Sequence, residues 1–174
     1  MKEQTSRRFL ILGLLLEGTK HGYELHRSDL LRIWGIPMSQ LYNLLKRLEK
    51  EGLVQASVEM QENRPGRKTY ALTEAGRLAF LDWVQSPVEK MRDIRTEFLA
   101  KLYMVYRLNL GIGKRLVREQ VRVCERRREM LAEKPPGAEP FEALVQRYRL
   151  TMIDATIGWL ATCEDLFGEG SDAM

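Results

Sequence analysis

The sequence predicts a mainly α-helical fold with a small β-hairpin: a winged helix-turn-helix domain over residues 1–86 and an α-helical domain over 87–174. Three observations carry that reading. Apolar residues recur at helical spacing along most of the chain. The spacing changes once, to alternation, between Val54 and Leu72. From Ser86 onward it is helical throughout. With 174 residues, 44% hydrophobic and 30% charged, the chain has material for one domain or two small ones and for a folded rather than disordered state.

Residues 5–17 form the first helix, apolar almost all round and therefore central to a core. Its arginine pair before Phe9–Leu16 imitates an export signal. The apolar run is short, is followed by Glu17 and Lys20, and lacks a small-residue cleavage site, so a cytoplasmic protein that avoids the membrane is expected. EGTKHGYELH leads into a second helix over 21–34, with Leu25, Leu30, Leu31, Ile33 and Trp34 available for burial; Gly35 and Pro37 end it. SQLYNLLKRLEKEGLV, residues 39–54, then gives a third helix. Leu41, Leu44, Leu45 and Leu48 make its buried stripe, and Gly52 stops it.

Val54, Ala56, Val58 and Met60 alternate with Gln55, Ser57 and Glu59, which is strand spacing. QENRPGRK supplies turn residues, and KTYAL a second strand with Tyr70 and Leu72 inward. Thr73 is placed to cap a helix from Glu74 to Gln85. Three helices followed by a hairpin is the order of a winged helix. Beyond it, Pro87 opens a helix to Arg107 with Met91, Ile94, Phe98, Leu102 and Val105 in register. A charged helix over 112–134 carries Ile112, Leu116, Val123, Met130 and Leu131 on a narrow stripe, and PPGAEP breaks it. The last helix, 141–167, carries Leu144, Val145, Tyr148, Met152, Ile157, Trp159 and Leu160. That is more apolar surface than three helices hide among themselves, which implies a partner chain.

The net charge of +4 is modest, and basic residues exceed acidic ones by three up to Gln85 and by one after it. A nucleic-acid surface must therefore come from arrangement rather than bulk charge. The outward face of 39–54 supplies one: Ser39, Gln40, Tyr42, Asn43, Lys46 and Arg47 combine donors and acceptors for base edges with cations for phosphates. Gln40 and Asn43 are the expected base readers. Tyr42, Lys46 and the hairpin's Arg64, Arg67 and Lys68 are the expected phosphate holders, and Ser39 either joins the readers or caps the helix. Double-stranded DNA is thus the expected partner, with a protein-binding winged helix as the alternative. An enzyme is not expected, because no nucleophile-base pair, phosphate loop or metal spacing occurs. Cys124 and Cys163 are far apart, His21 and His26 are the only histidines, and neither metal nor cofactor is implied.

ILGLLLEGTKHGYELH, SQLYNLLKRLEKEGLV and RPGRKTYALTEAGR, at these spacings, resemble the PadR family of bacterial transcriptional regulators, with SQLY and TYALTEAGR the most specific parts. The tail with EFLAKLYM is similar to the larger subgroup, so the resemblance covers nearly the whole chain. It implies a homodimer through a helical C-terminal domain and a repressor released from its operator by a small molecule, often a phenolic acid. Trp34, Trp83 and Trp159 are costly to leave on a surface. They are either interface core or walls of such an effector site where the two domains meet, with Arg92 or Arg95 facing a carboxylate.

Overall fold

A computed structural model describes residues 2–61, 64–133, 135 and 139–167, with the backbone alone at 2–5, 59–61 and 64–67. The chain divides into two compact units, Met1–Val84 and Gln85–Met174.

The first unit is built around α1 (Lys2–Leu16), whose Leu10, Ile11, Leu12, Leu14 and Leu15 are all buried, as expected of a helix apolar on every side. The next stretch departs from the single helix expected over 21–34. Lys20–His21 is a short strand, β1, followed by α2 (Gly22–Arg27) and α3 (Asp29–Ile33). The break falls at Ser28, whose hydroxyl donates to the Leu25 carbonyl at 2.7 Å and accepts from the Leu31 N–H at 3.4 Å. A short polar side chain that serves both helix ends makes two helices cheaper than one. Leu25, Leu30 and Leu31 are buried, but Ile33 is exposed and Trp34 half-buried.

The helix α4 (Met38–Lys50) buries Leu41, Leu44, Leu45 and Leu48 as its spacing requires. It ends at Gly52, with φ of 72°: the Gly52 N–H donates to the Glu49 carbonyl and the Leu53 N–H to the Leu48 carbonyl, which satisfies the last turn. β2 (Val54–Gln61) and β3 (Arg64–Leu72) pair antiparallel, and β1 joins the other edge of β3 in the order β1-β3-β2. Val54 lies opposite Leu72 and Ala56 opposite Tyr70.

Val58 is exposed, because the inner face ends before it, and Met60's side chain lies outside the described residues. The hairpin differs from expectation in its turn. Pro65 and Gly66, expected in the turn, stand inside β3. Glu59 pairs with Arg67 and Gln61 with Arg64, so Pro65 and Gly66 together oppose Met60 in a β-bulge. A bulge leaves one residue out of the ladder, which suits a proline that has no N–H to give. Thr73 caps α5 (Glu74–Gln85) as expected, accepting from the Gly76 N–H at 3.0 Å, while its own hydroxyl donates to the Gly52 carbonyl at 2.7 Å.

In the second unit the helix expected from Pro87 begins only at Met91. It runs as α6 (Met91–Asp93), a π-helical turn over Ile94–Phe98 and α7 (Leu99–Arg107). The delay has a cause: Val88's backbone is held instead by a buried side chain. Its N–H donates to Gln120 Oε1 at 2.7 Å, and its carbonyl accepts from Gln120 Nε2 at 2.9 Å. Gln120 belongs to α8 (Gly113–Ala132). Leu116, Val117, Val123 and Cys124 are buried on α8, but Met130, expected on the stripe, is exposed, as is every residue from Glu125 to Met130.

α9 (Pro140–Asp165) runs back along α8, for Arg118 meets Glu164 at 3.4 Å, and Gln146 Nε2 donates to the Leu131 carbonyl at 3.0 Å. Only Ile153, Leu160 and Cys163 are buried on it. Phe141, Leu144, Tyr148, Met152 and Trp159 remain exposed.

Lys101 on α7 is only 2% exposed. Its ammonium donates to the Ser86 carbonyl at 2.8 Å and to the Ser86 hydroxyl at 3.3 Å, and pairs with Glu97 at 3.2 Å. Lys101→Met is expected to keep the packing of the stem and lower stability by about 2 kcal/mol, because Glu97 and the Ser86 carbonyl then lose a buried donor. Urea unfolding of the full chain measures this; an unchanged midpoint would mean that the ammonium adds nothing beyond filling space.

Candidate nucleic-acid interface

With its four leucines buried, α4 turns the opposite side outward. Ser39, Tyr42, Asn43, Lys46, Arg47 and Lys50 are exposed, and Gln40 is half-buried at the margin. The separation follows from the 3.6-residue period alone, since positions 39, 42, 43, 46, 47 and 50 share one face as 41, 44, 45 and 48 share the other. Ser39 is the second helical residue. The cap position belongs to Pro37, so the capping role considered for Ser39 is not the one it has.

Among the described residues, three polar side-chain contacts tie this helix and its C-terminal end to neighbouring elements. Arg7 on α1 donates from Nη1 to Gln40 Oε1 at 2.7 Å. Arg8 pairs with Glu51 just past the C-terminus of α4. Lys68 on β3 lies 3.7 Å from Glu49, an exposed pair weak enough for Lys68 to exchange Glu49 for another anion. Tyr42 packs over α2, where a methyl added at Gly22 would sit 2.8 Å from its ring. Behind it the phenol of Tyr70 is pushed above the ordinary tyrosine range, first by burial and then by the charges of Glu49 and Tyr42, so it stays a neutral hydroxyl.

Arg64 and Arg67 are on β3, Arg64 at the end of the hairpin, and their side chains lie outside the described residues. The structure therefore brings six of the nine expected residues together on one helix and adds Lys68 from the strand beside it. Arg7, which sequence reasoning missed, carries no local signal: it stands 33 residues from the glutamine it holds.

The residues expected around an effector are distributed over both units. Trp83 is core, its ring stacked on Phe9 with centroids 4.8 Å apart and tilted against Phe80 at 6.1 Å. Trp34 is half-buried at the end of α3. In the second unit, Trp159 is partly exposed with its ring edge-on to Phe98 at 6.3 Å. Arg95 is exposed, and Arg92 is exposed and 3.6 Å from Asp93. Burial pushes the thiols of Cys124 and Cys163 up, which makes both poor nucleophiles. Among the described residues no cluster of His, Cys, Asp and Glu is arranged for a metal, and no helix is long and apolar enough to cross a membrane.

The model of the transcriptional regulator PadR-like family matches residues 11–81. The chain is 28% identical over 117 residues to the negative transcriptional regulator PadR of Bacillus subtilis, covering 66% of this chain and 64% of that protein. It is 32% identical over 85 residues to a probable transcriptional regulator of Mycobacterium tuberculosis, covering 47% of this chain and 45% of that one. The matched stretches thus span less than two thirds of either curated relative. Among solved structures, Bacillus subtilis PadR in complex with operator DNA is 24% identical, with a TM-score of 0.46 over 89% of this chain and 96% of that one.

Proposed function

We propose, for a chain that carries a PadR-like transcriptional-regulator domain over residues 11–81, a homodimeric repressor that grips double-stranded operator DNA in the cytoplasm and lets go when a small aromatic acid binds. The observation that carries the reading is the outward face of α4, where Ser39, Asn43, Lys46, Arg47 and Lys50 are all exposed on a helix otherwise packed by leucine. A helix of this kind fits the major groove: Asn43 pairs with base edges, and Lys46 and Arg47 meet the flanking phosphates. The basic residues of β3 extend the grip along the backbone. The exposed apolar side of α9 supports the dimer. Two copies related by a two-fold axis present two such helices to a pseudo-palindromic site. For the effector, the partly open Trp159 offers an aromatic wall, and Arg92 and Arg95 offer cations for a carboxylate.

A gel shift with the promoter upstream of the protein's own gene tests the reading. If Lys46, Arg47, Arg64, Arg67 and Lys68 each neutralise one phosphate, log affinity should fall against log salt with a slope of about −4.5 per protomer. Asn43→Ala should relax sequence preference. Arg67→Ala should weaken binding to every sequence and reduce the slope by about 1. A winged helix that serves only to bind protein would give no shift at any salt concentration. Aromatic acids added to the same assay report release.

A further inference from the structure

The contact between Arg7 and Gln40 bears on which base the α4 helix reads. A guanidinium has only donors, so the Gln40 atom 2.7 Å from Arg7 Nη1 is the carboxamide oxygen, and the amide's two N–H groups are turned the other way. A glutamine that recognises adenine needs both ends: its oxygen accepts from the adenine amino group while its nitrogen donates to N7. Here one of the oxygen's two lone pairs already holds a guanidinium, whose charge disfavours a second donor such as the adenine amino group at the same oxygen. The amide N–H groups are therefore the freer end of Gln40. In the major groove guanine presents two adjacent acceptors, O6 and N7, without a donor beside them.

We infer that Arg7 is a specificity-determining residue, which orients Gln40 as a donor so that α4 reads a guanine rather than an adenine at the position Gln40 faces. Arg7 acts through Gln40 and is a positioning residue. Its place on α1, the central helix of the first unit, gives the orientation a rigid support. The inference rests on the DNA-binding reading above and gives Gln40 a guanine in place of the adenine that a glutamine with both amide ends free would pair with.

The test is selection of binding sites by the full-length chain from duplexes with a randomised core, for wild type, Gln40→Ala and Arg7→Met, with thermal midpoints recorded for all three. In the wild type, the position whose preference disappears in Gln40→Ala should be a guanine. In Arg7→Met, preference for guanine over adenine at that position should fall about tenfold while the other positions keep theirs. If the position lost in Gln40→Ala is an adenine in the wild-type site, the inference is overturned without reference to any Arg7 variant. It is also overturned if Arg7→Met weakens binding to all sequences equally, which would make Arg7 a phosphate contact. A wild-type chain that enriches no site would remove the DNA-binding reading itself, a result distinct from a site enriched with the wrong base.

Discussion

Replacing Leu144 and Tyr148 together with glutamate is expected to turn the full-length chain into a monomer and lower its affinity for a two-half-site operator by about a thousandfold. Leu144 is 57% and Tyr148 64% exposed, and with Phe141, Met152 and Trp159 they recur at intervals of three, four, four and seven residues along α9. That spacing puts all five on one side of the helix. Isolated apolar residues on a surface need no explanation, but a continuous stripe of this length does. A helical face spaced by threes and fours suits another helix, which a second copy of α9 would supply. Glutamate favours helix, so α9 itself should persist, and circular dichroism should be unchanged while sedimentation shows the shift to monomer. Loss of operator affinity follows because the second half-site is no longer bound at the high effective concentration that linkage provides. A doubly substituted chain that still sediments as a dimer would place the interface elsewhere.

Gly76→Ala is expected to cost the first unit about 3 kcal/mol or more and to abolish DNA binding with it. A methyl group there would lie 2.0 Å from the Leu53 carbonyl oxygen and 2.8 Å from Leu72 Cδ1. Backbone cannot swing aside as a side chain can. The Leu53 carbonyl also accepts from the Thr73 N–H at 3.2 Å, and Thr73 in turn ties Gly52 to the start of α5. Making room for the methyl would thus part the exit of α4 from the cap of α5, the joint that sets the hairpin against the candidate DNA-reading helix. Urea unfolding of the full chain should show an earlier transition for the first unit while the second holds its midpoint. Unaltered unfolding would mean that the backbone yields more cheaply than close packing allows.

Much of this was legible in the sequence because it is local. Four leucines at helical spacing with Gly52 after them specify α4, its buried side and its end, and the same period necessarily turns Ser39, Asn43, Lys46 and Arg47 outward. The alternation of Val54 and Ala56 and the capping threonine before α5 are equally short-range signals. The apolar excess of α9 was countable too, and its exposure is what an unpaired helix face would show.

The rest depended on contacts between residues distant in sequence. Lys20 and His21 carry no strand pattern and are a strand only because Tyr70 and Thr69 pair with them. Pro65 and Gly66 have the composition of a turn, and the register between β2 and β3 makes them a bulge instead. Lys101 reads as surface by its charge, yet Ser86 and Glu97 satisfy its ammonium in the interior. Gln40 was legible as a polar residue on the right face, while Arg7, from another helix, determines which end of its amide is free. Periodicity and capping are properties of a few consecutive residues and are therefore written in the sequence. Strand pairing, the burial of a satisfied charge and the orientation of a side-chain amide are decided by whichever donor or acceptor the completed fold brings within about 3 Å.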